Sequence, residues 1–429
     1  MDTLIIAAEL AIAAFLLTTF VLSGRYRPVV RPPDSINSQR AKVAAIVPVC
    51  NEDPELFRLC IIGLLRQTRS IDEVYLIDDG SDSSACQQVA DAFAQDHPHV
   101  TSYAFPDNRG KRRAQAWAVN QTDADILLTV DSDTILDVNA LEEGLKPFHD
   151  KRVQGVCGRL RAASSRNLLT WLTDLQFAQV FTLRWAAYTL SGSVLSATGM
   201  LSLWRRHVLA DNLDDYVHQR FRGARIEHGD DRRCTNYALR YGWVVYQESA
   251  AGITRVPNRL GHYIHQQSRW TKSILPEVCY AIRHLRPTRA AWWLSLEEGV
   301  LRIGLGALLT LGILTEPLLS SQLLLGYHLT GTLGIAAVNW HRGLALSTTQ
   351  ILMLPAYSLF GYLAWPGQLY HCLMPTSSWE SDLSDAREWN VVIDRYAARG
   401  SVGQRPGLTA HVGDSTAYQQ AISSSLMNL

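Results

Sequence analysis

Between Ala41 and Cys157 the chain alternates short apolar runs with helical patterns, and two of the runs end in acid. No other feature limits the possible folds as strongly. Val43–Val49 is apolar and is closed by Asn51-Glu52-Asp53-Pro54, after which Leu56–Leu65 has helical spacing. Val74–Ile77 reads as a strand ending in Asp78-Asp79-Gly80-Ser81, and Val100–Phe105 as a third strand. Lys111–Asn120 suits a helix, and Ile126–Val130 is a strand that runs into Asp131-Ser132-Asp133. Val153–Cys157 is a candidate fifth strand. Strands alternating with helices imply βαβ units, an α/β fold and a mostly parallel sheet. Ligands of such sheets sit outside the carboxyl ends of the strands. Both acidic runs fall there.

The flanks differ in character. Leu4–Leu22 is apolar except for Glu9. At about 1.5 Å per residue it covers roughly 28 Å, enough for a bilayer core. Arg25, Arg27 and Arg31 follow, which places that flank in the cytosol. After Pro287, Trp292–Leu314 and Leu318–Trp340 read as spanning helices, whereas Leu346–Leu373 contains Pro355 and Pro366 and reads as a broken or re-entrant element. The amphipathic stretch Leu168–Leu190 has two readings, a helix lying flat on a membrane or an ordinary packing helix. The expected division is a membrane helix over 1–24, a linker over 25–40 and a catalytic domain over 41–255. Interfacial helices over 256–289, a membrane region over 290–375 and a polar tail over 376–429 follow. The 12 tryptophans, several beside apolar runs, suit membrane interfaces. Forty basic and 40 acidic residues cancel, so nothing favours nucleic acid as a partner. The seven cysteines form no CxxC pair, which indicates neither a zinc site nor a disulfide framework, and hence a reducing cytosolic setting.

Several polar runs have the chemistry of transfer from a nucleotide-activated sugar. Such a reaction needs a cation at the leaving diphosphate, a base for the attacking hydroxyl and a pocket that aligns the partners. Asp131 and Asp133 are hard oxygen donors suited to Mg²⁺ or Mn²⁺, and strand alternation sends both to one side. A carboxylate of Asp78-Asp79 can accept from a nucleobase or ribose, or simply make an Asp-Gly turn. Lys111 and Arg112 open a helix, where cations and backbone N–H groups hold phosphate. Gly229-Asp230-Asp231-Arg232 is a second acidic pair, with Asp231 the candidate general base; the alternative is a helix cap with a first-turn acid. In Gln266-Gln267-Ser268-Arg269-Trp270, Arg269 can pair with the diphosphate and Trp270 can stack on a sugar ring. Glu297, Glu298 and Arg302 lie at the edge of an apolar stretch. They either line a channel or, as favoured here, sit at the interface before a helix that starts later.

In this order the runs resemble the family 2 processive glycosyltransferases, the group of cellulose, chitin and hyaluronan synthases. The similarity covers about Lys42 to Lys272 and is nearest to the bacterial hyaluronan synthases. It is carried by Val43-Ala44-Ala45-Ile46-Val47-Pro48 with Asn51-Glu52-Asp53, and by Gly110-Lys111-Arg112 with Ala114-Gln115-Ala116-Trp117-Ala118. Leu128-Thr129-Val130-Asp131-Ser132-Asp133-Thr134 and Gly229-Asp230-Asp231-Arg232 with Thr235-Asn236-Tyr237-Ala238 add to it, as do Gln266-Gln267 with Arg269-Trp270. The resemblance implies a GT-A catalytic domain in the cytosol with α-helical transmembrane segments, in the plasma membrane. It implies UDP-sugars as donors, a growing polysaccharide and the lipid bilayer as partners, and Mg²⁺ or Mn²⁺ as cofactor. By the same resemblance Asp79 contacts uridine, Asp133 with Asp131 holds the metal, and Lys111 and Arg112 line the nucleotide pocket. Asp231 is the base beside Asp230, and Gln266, Arg269 and Trp270 border the diphosphate and the acceptor end.

Three departures are visible. Ala197-Thr198-Gly199-Met200 stands where the family has a Cys-Ser-Gly-Pro-like stretch. Trp379-Glu380-Ser381-Asp382 stands where hyaluronan synthases have a Trp-Gly-Thr-Arg gating segment. One apolar span precedes the catalytic part, where streptococcal relatives have two. The expected activity is therefore processive synthesis and export of hyaluronan or a close relative. The alternatives are a chitin-type synthase using one UDP-sugar and, in another class, a non-catalytic scaffold on a transferase fold.

Overall fold

The computed structural model describes residues 14, 15, 17–30, 41–163, 168–300 and 315–342. All lie in the first of two units, 1–389; the second, 390–429, is outside the described residues. The expected elements form with shifts of a residue or two at their ends, except that the fifth strand runs on past Cys157 to Ala162. In chain order they are β1 (Val43–Val49), α1 (Pro54–Leu65), β2 (Glu73–Asp78), α2 (Ala85–Asp96), β3 (Val100–Ala104), α3 (Lys111–Gln121) and β4 (Ile126–Thr129). Beyond them come β5 (Thr134–Leu136), α4 (Ala140–Leu145), β6 (Val153–Ala162) and α5 (Leu168–Ala178). Next are β7 (Ser202–Arg205), the short hairpin β8 (Arg220–Phe221) and β9 (Ala224–Arg225), α6 (Asp230–Tyr241) and β10 (Trp243–Thr254). The last are α7 (Leu260–Lys272), α8 (Ile274–His284), α9 (Ala290–Gly299) and α10 (Pro317–Arg342).

Eight strands form one mixed sheet in the order β3-β2-β1-β4-β7-β6-β10-β5. The first four are parallel. β7 then runs antiparallel to both β4 and β6, β10 is parallel to β6, and β5 closes the edge antiparallel to β10. All seven residues of β1 are buried, as befits a strand covered on both faces. Asp53 caps α1 by accepting from Glu55 N at 2.8 Å and Leu56 N at 3.3 Å, a cap of a kind worth about 1 kcal/mol. The helix then buries Phe57, Ile61 and Leu64 against the sheet, each worth about 1.5–3 kcal/mol in removed apolar surface. Because β1, β2 and β4 are parallel, their carboxyl ends lie on one edge. That edge carries Glu52, Asp78-Asp79 and Asp131-Ser132-Asp133.

The flanking helices decide one open reading and correct one expectation. Leu168–Leu190 packs into the protein: Phe177, Phe181 and Trp185 are buried, and α5 passes into a π-helical turn over Gln179–Trp185. α9 begins at Ala290, so Glu297 and Glu298 are inside a helix that starts earlier than expected, and Glu298 is only 2% exposed. α10 packs on the π-helical turn through Val338 and Leu183, with Phe20 of the N-terminal helix against both. Among the described residues no helix is long and apolar enough to cross a membrane, and that includes α10, which covers the expected span Leu318–Trp340. The expected spans over Leu4–Leu22 and Trp292–Leu314 lie partly outside the described residues. Leu346–Leu373, Arg302 and Trp379 lie wholly outside them.

Candidate active site

A cavity of about 350 Å³ opens beside the end of β4. Its lining includes Lys111, Asp131, Asp230, Asp231, Arg269 and Trp270, brought together from four separate runs of the sequence. Lys111 stands between two acids, 2.6 Å from Asp131 Oδ1 and 3.0 Å from Asp230 Oδ2. Burial lowers the lysine's proton affinity, but the two carboxylates outweigh that and raise it, so the ammonium is permanent. Burial also pushes Asp230 up, and Lys111 and Arg112 more than offset it, leaving this carboxyl below its ordinary range. Asp231 behaves oppositely. Burial first and the Asp230 charge second push its carboxyl up to about 6, against the pull of Lys111 and Arg232. Two adjacent acids are thus held at different proton affinities, the pattern by which acid–base roles are separated.

Local backbone geometry aims this pair. Gly229 precedes α6 with φ of +72°, and a Cβ built there would come within 2.5 Å of Ser273 Cβ at the α7–α8 junction. Only glycine meets both conditions without strain. Asp231 then sits in the first turn of α6, its Oδ1 accepting from Arg232 N at 2.7 Å. Gly199 performs a similar service opposite. A Cβ there would lie 3.0 Å from Lys111 Nζ, so the variant Ala197-Thr198-Gly199-Met200 stretch keeps its glycine at the close approach.

Asp133 lies outside that lining. β4 ends at Thr129, so a turn places Asp131 and Asp133, and the expected strand alternation does not apply. Asp133 Oδ1 accepts from Thr134 Oγ1 and Thr254 Oγ1, both at 3.3 Å. Its carboxyl is pushed up to about 7 by burial, then by the charges of Glu52 and Asp131. Glu52 is itself pushed up by burial, and Arg255 pairs with it at 3.5 Å. A carboxyl raised by neighbouring carboxylates fits a hard divalent cation, which would relieve the repulsion. Among the described residues no group of three or more His, Cys, Asp or Glu side chains forms a complete cation cage. Asp131 and Asp133 would therefore supply part of a coordination shell and leave the rest to substrate phosphate and water, as Mg²⁺ commonly has it.

Other expected residues divide. Asp79 is buried at the end of β2, where its Oδ1 accepts from Arg109 N at 2.9 Å. Burial raises its carboxyl, the hydrogen bonds opposing. It stands on the same sheet edge but not in the cavity wall. Arg112 turns away from the cavity: it is buried and donates to Tyr216 O at 3.0 Å and His228 O at 2.9 Å. Its place is structural, tying the chain before α6 to α3. Gln267 rather than Gln266 lines the cavity, and it exchanges hydrogen bonds with Gln176 at 3.1 and 3.3 Å.

Residues 44–211 match the family model described as glycosyl transferase family 2. The chain is also 39% identical over 285 residues to a hyaluronan synthase of Streptococcus pyogenes, covering 65% of this chain and 67% of that one. The chain belongs to glycosyltransferase family 2. An N-acetylglucosaminyltransferase of a Rhizobium species is 31% identical over 299 residues, 66% of each chain. Among solved structures, a mannosyltransferase from Pyrobaculum calidifontis in complex with GDP-Man and Mn²⁺ superposes with a TM-score of 0.53 at 17% identity. It covers 86% of this chain and 96% of its own. At that identity the likeness shows the fold, a GT-A-like mixed sheet, and nothing of the substrate.

The cavity of this glycosyltransferase is also lined by residues that the sequence pattern did not assign to a site. Phe177, Phe181, Arg184 and Trp185 form the far wall of the cavity. Trp270 leans toward Phe177 with ring centroids 6.3 Å apart, making an aromatic face. Arg232 forks onto Glu298 at 3.0 and 3.2 Å, and Arg184 approaches the same carboxylate at 3.9 Å. The available signal was Arg184 beside the apolar and aromatic residues Phe181, Leu183 and Trp185. A buried arginine there needs a partner, and α9 supplies it.

Proposed function

We propose that this transferase polymerises sugars processively from UDP-sugar donors and exports the product, with hyaluronan, made from UDP-GlcNAc and UDP-glucuronate, as the polymer. The observation that carries the reading is the position of Asp231. It stands in one cavity with the Lys111–Asp131 corner and the Trp270–Phe177 aromatic face. A carboxyl titrating at about 6 is ionised at neutral pH yet still basic enough to take a proton.

In the proposed reaction an acceptor sugar lies against Trp270, its hydroxyl directed at Asp231. The hydroxyl oxygen bonds to the donor's anomeric carbon as the bond from that carbon to the diphosphate oxygen breaks. The proton passes to Asp231 and UDP leaves. One base and a single displacement give inversion at the anomeric centre, consistent with this family. Lys111 keeps Asp230 ionised and fixed beside the base. Arg269 pairs with the diphosphate, and Asp79 receives the uridine at the end of β2. Mg²⁺ or Mn²⁺, when bound at Asp133 and Asp131, supplies charge neutralisation of the leaving diphosphate.

The membrane setting belongs to the same proposal. Large apolar side chains protrude from the helices flanking the sheet, among them Trp340 at 90% exposure, Leu318 at 73%, Leu333 at 67% and Leu17 at 64%. A lipid surface is the natural cover for such faces in the plasma membrane, with the catalytic domain on the cytosolic side. Similarity to a hyaluronan synthase supports both the polymer and the setting.

The deciding assay incubates membranes containing the protein with UDP-GlcNAc, UDP-glucuronate and Mg²⁺ or Mn²⁺. A high-mass product that requires both donors is expected. Polymer formed without UDP-glucuronate excludes hyaluronan, and no polymer from any pair of UDP-sugars excludes processive synthesis. Release of the protein from membranes by alkaline carbonate would remove the integral-membrane part. The similarity to an N-acetylglucosaminyltransferase favours one second reading, a chitin-type synthase. Chitinase-sensitive product from UDP-GlcNAc alone selects it.

A further inference from the structure

Behind the cavity, one buried carboxylate joins three elements. Glu277 of α8 is 3% exposed and accepts from Arg233 Nε at 3.1 Å, from Asn236 Nδ2 at 2.9 Å and from Gln219 Nε2 at 2.6 Å. Arg233 and Asn236 lie on α6, the helix that opens with Asp230-Asp231. Gln219 is in the segment that leads through the β8–β9 hairpin to Gly229. Arg233 is equally buried. Its guanidinium lies 3.8 Å from the Tyr280 ring centroid on α8 and reaches Asp215 at 3.3 Å.

An ion pair in such a place is a weak source of net stability, because two charges lose their water. What it does supply is geometry. A carboxylate accepts donors from two directions, and a guanidinium fork donates in few orientations. Sliding α6 by one residue or rotating it would break Arg233 and Asn236 away from Glu277 together, leaving buried charge unpaired. α8 follows α7, the helix of Arg269 and Trp270, with only Ser273 between them, and Ser273 is the residue against which Gly229 closes. The pair therefore locks the base-bearing helix to the helices that carry the diphosphate and acceptor contacts.

We infer that Glu277, with Arg233, is a positioning residue that sets where the Asp231 carboxylate stands relative to Trp270 and Arg269. It touches neither substrate nor reacting atoms. The inference rests on the reading of Asp231 as base, and the two fail differently.

The test uses full-length protein in membranes and follows UDP release from UDP-GlcNAc in the presence of UDP-glucuronate. Two variants are needed, because removing one charge alone can unfold the chain. Glu277→Asp keeps the charge and withdraws it by one methylene. Arg233→Met with Glu277→Met removes both charges and keeps the volume, an exchange that buried ion pairs often tolerate without loss of stability. With the fold retained by thermal melting, kcat should fall about 10²-fold in the double variant, the scale expected for a misplacement near 1 Å. Donor KM should change less than about threefold, since donor contacts stay in place. Glu277→Asp should fall between, and the acid limb of the pH–rate profile should move in both. A folded double variant with wild-type kcat and an unmoved acid limb overturns the inference. If Asp231→Asn is itself fully active, the base assignment has failed instead.

Discussion

The two halves of the sheet do different work and carry different amounts of information in sequence. In the parallel half, β3-β2-β1-β4, each acidic residue of interest lies within four residues of the end of its own strand. Asp79 follows β2, Glu52 follows β1 after a short turn, and Asp131 and Asp133 follow β4. In the half that begins at β7, function is assembled from separated pieces. Asp231 comes from α6, Trp270 from α7, the far wall from the helix after β6, and Glu298 from α9. The lesson is that a strand-end site is a local consequence of topology, whereas the acceptor side depends on helix packing. The first should tolerate changes in distant helices. The second should not.

The sharpest way to break this comparison is at the base. Asp231→Asn should lower kcat by about 10²–10⁴-fold while leaving the fold intact, the scale for loss of a general base. UDP release measures it, and unchanged turnover removes Asp231 from that role. The next effect is on pH. Asp231 must be ionised to act and its carboxyl stands near 6. The rate should therefore be steady above that value and drop about tenfold per pH unit well below it. Asp230→Asn removes a neighbouring negative charge, so the acid limb should move to lower pH; a limb that moves up would assign it to another group.

A backbone test is smaller. Gly229→Ala places a Cβ 2.5 Å from Ser273 Cβ at a φ of +72°, and should cost about 1–3 kcal/mol of stability, read as a lowered Tm. The corresponding change in an exposed turn, Gly223→Ala, meets nothing within 4 Å and should lose less, confined to its positive φ. The smallest effect concerns the donor half. Because the Asp133 carboxyl stands near 7 in the cation-free protein, adding Mn²⁺ at pH 6.5 should release up to about one proton, and none near pH 9. Proton release measured in weak buffer checks this, and Asp133→Asn should abolish it.

Much of the parallel half was legible from residues 43–130. Apolar runs of strand length, separated by helical spacing, leave few alternatives to a βαβ sheet, and the element ends moved by no more than about two residues. The acids at the strand ends were legible for the same reason. Their side-chain directions were not, because β4 stops at Thr129 and a turn then sets Asp131 and Asp133 apart. Arg112 shows a second kind of miss. A helix-start cation adjacent to Lys111 reads as a phosphate ligand, yet one residue of helical rotation turns it inward to Tyr216 and His228. β5, β7 and β10 were not anticipated, since each owes its place to partners far along the chain.

By itself the sequence determined that the parallel half of an α/β sheet forms and which of its ends carries acid. Those properties come from periodicity and strand order, which are local. Only the tertiary structure decided which acid is held low and which is held near neutrality. Asp230 and Asp231 are chemically identical neighbours in the sequence. They differ because Lys111, 119 residues earlier in the chain, packs against one of them, and the desolvation each carboxylate meets depends on which helices close around it.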